Sequence, residues 1–64
     1  MNLIKGIQKE CERCINLKTV YDEIPTGKFG AYCIQDAIDE GRASIVSGEV
    51  VRMLSAFKEL ESCK

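Results

Sequence analysis

A single proline, Pro25, falls between two stretches whose apolar residues recur at helical spacing, and its position constrains the fold more than any other feature. Before it, Leu3, Ile7, Cys14, Leu17, Tyr21 and Ile24 form a stripe with one gap at Glu10, beside which Cys11 sits and can fill it. Such a stripe is the seam of an amphipathic helix. Ile4, Ile15 and Val20 widen it enough to meet two neighbours, while Lys5, Lys9, Glu12, Arg13, Lys18 and Glu23 lie mostly away from it. Gly6 weakens the first turns by roughly 1 kcal/mol relative to alanine, so fraying is expected there. Proline disfavours helical geometry at the residue before it, and Pro-Thr-Gly is strong turn chemistry. A first helix is therefore expected over about residues 2–23.

Beyond the turn, Thr26 is expected to cap a second helix over about 27–46, with its stripe at Ala31, Ile34, Ile38, Gly41 and Ile45. Gly41 falls on that stripe, where it either admits a neighbouring helix closely or is a tolerated surface glycine. Ser47-Gly48 then interrupts the pattern. Ser47 is a good N-cap, Glu49 supplies acid to a first turn, and Val50, Met53, Leu54, Phe57 and Leu60 resume the period, so a third helix is expected over about 48–62. Lys58 and Lys64 fall near its end, where positive charge suits the helix dipole. Two other arrangements compete: one long bent helix in place of the second and third, and a β-hairpin pairing Thr19–Ile24 with Phe29–Ile34. The apolar stripe running through Tyr21 argues against the hairpin. The reading adopted is an all-α, small three-helix domain spanning 1–64 as a single unit.

Size and charge limit its company. With 64 residues there is room for one domain, and 9 Lys+Arg against 10 Asp+Glu lack the basic excess of a nucleic-acid binder. No apolar run approaches the roughly 18 residues of a membrane span, and the charged stretch Met1–Glu12 does not read as a signal peptide, so a cytoplasmic, reducing setting is expected. A chain this short buries only about 60% of its unfolded surface. Self-association as a homodimer, through the seam of the first helix, is the expected remedy.

Four cysteines, Cys11, Cys14, Cys33 and Cys63, carry the most specific-looking chemistry. A zinc site would suit so small a domain. However, Glu12-Arg13 places the Cys11/Cys14 pair inside a helix, and the other two cysteines are unpaired in sequence. Disulfides rarely persist in a reducing compartment. Free cysteine behaves as a small, often buried hydrophobe, so packing is expected, with no metal and no cofactor. Thr26-Gly27-Lys28 fails as a phosphate loop, since no glycine stands where the motif needs one and Phe29 follows the lysine. Asp22/Glu23 and Asp36/Asp39/Glu40 are carboxylate groups without a cleft to shift them, and histidine is absent. No enzyme is expected.

Two surface features remain. Lys5, Lys9 and Arg13 succeed one another at four-residue spacing, a basic ridge that would touch phosphates if the protein were a small dimeric DNA-associated regulator. Phe29 and Tyr32 lie just past the Pro-Thr-Gly turn, where they either anchor the turn in the core, the first expectation, or present a contact patch to a protein partner.

The run Tyr21-Asp22-Glu23-Ile24-Pro25-Thr26-Gly27-Lys28-Phe29-Gly30-Ala31, followed by Ile34, Ile38, Ser47-Gly48-Glu49-Val50-Val51-Arg52-Met53-Leu54 and Ser55-Ala56-Phe57-Lys58-Glu59-Leu60, resembles small proteins encoded by temperate bacteriophages and prophages. The likeness spans roughly Cys14 to Glu61 and rests on turn and packing motifs. It implies a phage or prophage origin, a bacterial host cell as the setting, and action by binding a host or phage protein. It carries no functional residues over.

Overall fold

The computed structural model describes residues 2–64, which form three helices: α1 (Leu3–Asp22), α2 (Lys28–Ser47) and α3 (Val50–Glu61), with no strand among the described residues. The fold is the expected all-α three-helix domain, and neither the hairpin nor the single bent helix occurs. Each helix touches the other two, α1 and α2 most extensively, in a bundle of 37 × 17 × 16 Å.

α1 starts where Asn2 accepts a hydrogen bond from the Lys5 amide at 3.1 Å through its side-chain oxygen, and Gly6 lies within the helix, its amide bonded to Asn2 O at 3.0 Å. Its end follows from Pro25. Ile24 N donates to Tyr21 O and Gly27 N to Ile24 O, so the chain turns over 24–27 before α2 begins. That turn absorbs Thr26. The N-cap is Gly27, with no side-chain cap bond, so the expected Thr26 cap is corrected by one residue.

The α2–α3 junction corrects a second cap. Ser47 is the last residue of α2, and its hydroxyl donates to Ser44 O at 2.9 Å while accepting from Glu49 N at 3.3 Å. The N-cap of α3 is Glu49, which makes no side-chain cap bond and lies just outside the first turn. Gly48 terminates α2 in the left-handed region, at φ 71°. A positive φ cannot continue a right-handed helix, so the two helices separate here instead of bending as one, and glycine adopts this geometry without the strain an L side chain would meet.

Ile7, Cys14, Ile38 and Leu60 form the centre of the core, flanked by Cys11, Ile34, Ala37, Ala56 and Met53. The stripe of α1 therefore faces α2 and α3 of its own chain. The Ile7, Cys11 and Cys14 part of the seam, through which a second copy was expected to pack, is covered from within. Gly41 sits where the three helices converge: a Cβ placed there would lie 2.9 Å from Leu60 Cδ1, 3.1 Å from Cys11 Sγ and 3.4 Å from Ile7 Cγ2. Of its two readings the close approach is the observed one. The one buried polar side chain among the described residues, Ser44, donates to Gly41 O at 2.7 Å, so its hydroxyl is satisfied.

Across α2 and α3, Arg52 forms a two-pronged pair with Glu40, Nε–Oε1 2.6 Å and Nη2–Oε2 3.2 Å. The guanidinium hydrogen bond holds the Glu40 carboxyl below the usual carboxylate range.

Two predictions follow from this packing. Gly41→Ala gains about 1 kcal/mol of helix propensity but forces Leu60 and Cys11 aside at a cost of about 1–3 kcal/mol. A net loss of about 1 kcal/mol is expected in urea unfolding, and more for Gly41→Val. For Glu40, a folded pKa below the unfolded one means stability that is present above about pH 4.3 and lost as pH falls through the lowered value. Glu40→Gln is therefore expected to lower Tm modestly at neutral pH, and melts over a pH series should show the two proteins converging as pH falls through the lowered Glu40 value.

Candidate functional site

The C-terminal end of α3 shows how the bundle is closed. A helix leaves its last carbonyls without intrahelical partners, and here α1 supplies donors. Arg13 Nη2 donates to Leu60 O at 2.7 Å and Nη1 to Cys63 O at 3.0 Å, while Nε donates to Glu10 Oε1 at 3.2 Å. Cys14 Sγ donates to Leu60 O at 3.5 Å, and the Tyr21 hydroxyl donates to Lys64 O. One turn of α1 and a tyrosine two turns on thus gather residues 60–64.

The same contacts reassign the basic ridge. Arg13 has all of its nitrogens engaged with Glu10, α3 and the tail, whereas Lys5 and Lys9 stay exposed. Arg13 differs from the two lysines in that its side chain, though 41% exposed, is held by these bonds. Sequence spacing placed Arg13 on a helix flank; the signal it missed is that an arginine fork suits the carbonyls of a neighbouring helix end.

Of the cysteines, Cys11 and Cys14 are buried, Cys63 is half-buried against the core and Cys33 is exposed; all four are free thiols. Burial pushes the Cys11 thiol up, opposed by Arg42. Cys14 is pushed up to about 11, first by burial and then by the neighbouring Cys63, with Arg13 acting in the opposite direction. Such thiols are poor nucleophiles near neutrality. Among the described residues, no three His, Cys, Asp or Glu side chains are grouped to hold a metal ion. The acidic residues of α2 are dispersed: Glu40 is paired with Arg52, Asp39 accepts from Gln35 at 2.9 Å, and Asp36 is exposed.

Phe29 and Tyr32 do not anchor the turn, which corrects the first expectation. Their exposures are 79% and 70%. Ala31 and Ile34 take the inward positions of this part of α2, and residues three apart share a helix face, so the two rings project together on the outer side. Tyr32 borders a shallow hollow of about 330 Å³ between α1 and α2, lined also by Lys18, Asp22, Lys28, Ala31 and Gln35. A second apolar group lies at the far end of the bundle, where Val46, Val50, Val51 and Leu54 are all exposed around the α2–α3 junction.

Compared with known proteins, the sequence matches no family model and no curated relative, and the fold matches no solved structure. No helix among the described residues is long and apolar enough to cross a membrane.

The Arg13 contacts generate a prediction. Arg13→Ala removes two charge-assisted bonds to main-chain carbonyls and is expected to cost about 1–2 kcal/mol. Arg13→Lys should recover only part of this, because ammonium lacks the planar fork. Lys5→Ala and Lys9→Ala should stay within about 0.5 kcal/mol of the parent. Denaturant melts check the energies, and faster amide exchange at Ser62 and Cys63 in Arg13→Ala checks the place.

Proposed function

We propose that this is a non-enzymatic accessory protein of phage or prophage origin that acts by binding another protein, a host or phage factor whose activity it modulates. The observation that carries the reading is the paired exposure of Phe29 and Tyr32 on one face of α2, beside the hollow that Lys18, Asp22 and Gln35 border. Burying one such ring fully is worth about 2 kcal/mol, and aromatic side chains are the residue type that most often dominates protein contacts. Isolated exposed apolar residues are ordinary, but a contiguous group marks interaction surfaces. The phage origin rests on the resemblance of the Tyr21–Ala31 run and of the segments after it.

The regulator reading has less to work with. Its ridge keeps Lys5 and Lys9 and has Arg13 engaged elsewhere, and two cations neutralise few phosphates. Binding through the outer face of α2 also suits a chain whose α1 seam is covered internally.

The test is a double variant, Phe29→Ser with Tyr32→Ser, whose Tm is expected to match or exceed the parent's because neither ring supports the core. Affinity capture from lysate of a bacterial host, quantified by mass spectrometry, should enrich at least one protein with the parent chain and lose it at least tenfold with the variant. Equal recovery with both would refute the reading. A parent homodimer that dissociates in the variant, seen by native mass spectrometry, would make a second copy the occupant of this face in place of a foreign partner.

A further inference from the structure

The last turn of α3 and the tail beyond it bring together two thiols from opposite ends of the sequence. Cys14 Sγ donates to Leu60 O at 3.5 Å and Cys63 Sγ donates to Glu59 O at 3.5 Å, on adjacent carbonyls of one turn. Both thiols therefore sit over one turn of α3, and Cys63 is near enough to push the Cys14 thiol up. Arg13 borders both residues, with Nη2 3.8 Å from Cys14 Sγ and Nη1 3.0 Å from Cys63 O. Cys63 lies past the C-cap Ser62, outside α3. No role described so far uses Cys63 beyond half-buried packing.

We propose that Cys14 and Cys63 are a redox-closable pair, converted to a disulfide by exchange with a small aliphatic disulfide of the glutathione type, and that closure locks the C-terminal tail onto α1. Cys63 reacts first, being half-buried where Cys14 has no exposed surface. Its thiolate attacks one sulfur of the small disulfide; that S–S bond breaks, a mixed disulfide forms on Cys63 and one small thiolate leaves. Cys14 then gives up its proton to solvent, its thiolate attacks the Cys63 sulfur, and the second small thiolate leaves. The protein loses two electrons and two protons, and the small disulfide becomes two thiols. Because Cys14 titrates near 11, the closing step should accelerate about tenfold per pH unit below that value.

Cys33 is the competitor. It is exposed and lines a hollow that Cys63 also lines, together with Tyr21 and Ile34. Cys33 shares with Cys63 the lining of that hollow, whereas Cys14 and Cys63 donate to adjacent carbonyls of α3. Closing so long a loop stabilises the folded chain strongly, so a rise in Tm on the order of 10 °C is expected for the oxidised protein.

Trypsin places each cysteine in its own peptide: Cys11 in 10–13, Cys14 in 14–18, Cys33 in 29–42 and Cys63 in 59–64. The reduced full chain, treated with oxidised glutathione, alkylated and digested without reductant, should yield 14–18 joined to 59–64. The same link should form in Cys33→Ser. Cys14→Ala should instead keep glutathione on Cys63, and the wild-type map stands by itself if that variant fails to fold. A link between 29–42 and 59–64, or glutathione persisting on 59–64 of the wild-type chain, or no reaction at Cys63, would each overturn the proposal.

Discussion

The bundle depends on one missing side chain. At Gly41 the methyl end of Leu60, the thiol of Cys11 and the branch of Ile7 converge on bare backbone from two different helices. Helix axes separate according to the side chains at their contact, so a Cβ here would push α1 and α3 off α2 together. The notch lets three short helices reach a common core whose central members, Ile7, Cys14, Ile38 and Leu60, retain almost no exposed surface. The helix cost of a glycine, about 1 kcal/mol, is offset by burial that a bulkier residue would forfeit at several positions at once. Ser44 belongs to the same device, since its hydroxyl turns back onto the Gly41 carbonyl and needs no partner from another helix.

Close packing creates the problem that the Arg13 fork solves. α3 has only 12 residues, and a short helix has a large share of its carbonyls at its end. Lys58 in its last turn complements the dipole, but Leu60 O lies against α1, where water has poor access. Arg13 and Cys14, adjacent on α1, both donate to that oxygen. The arginine is held on its other side by Glu10, so the fork is oriented before it is used. A charge that reads in sequence as available for a phosphate is thereby engaged in internal fastening, although its side chain remains 41% exposed.

The helices were legible because their signals are local: apolar spacing, a proline, and a Ser-Gly break each act within a few residues. The cap positions were less so. Thr26 and Ser47 have the right chemistry for N-caps, but whether a hydroxyl meets an N-cap geometry depends on how many residues the preceding turn absorbs. One extra residue in the 24–27 turn, and the left-handed Gly48 ending α2, moved both caps past them. Gly41 was half legible: its place on the stripe marked it, while the choice between close approach and open surface needed the neighbours. For Phe29 and Tyr32 the contact-patch alternative left open by the sequence fits their exposure, and the core anchoring expected first does not occur. Spacing tells which residues share a face, but the rotation of that face relative to the other helices is set by long-range packing.

That rotation explains the surface. α2 is wedged between α1 and α3, so Ala31, Ile34, Ala37, Ile38 and Gly41 occupy its inner side, and most of these are small. Small inner residues bring the helices close but leave no inward space for an aromatic ring, and Phe29 and Tyr32 remain outside. Tolerating two exposed rings on adjacent positions of one face forgoes stabilisation of about 2 kcal/mol each, in a domain whose margin at this size is slim. Folding alone gives no reason to keep them, since polar residues would serve the outer face of α2 equally well. The two rings are the surface on which the proposed partner contact rests, and Cys14 and Cys63 are the thiols of the proposed closure.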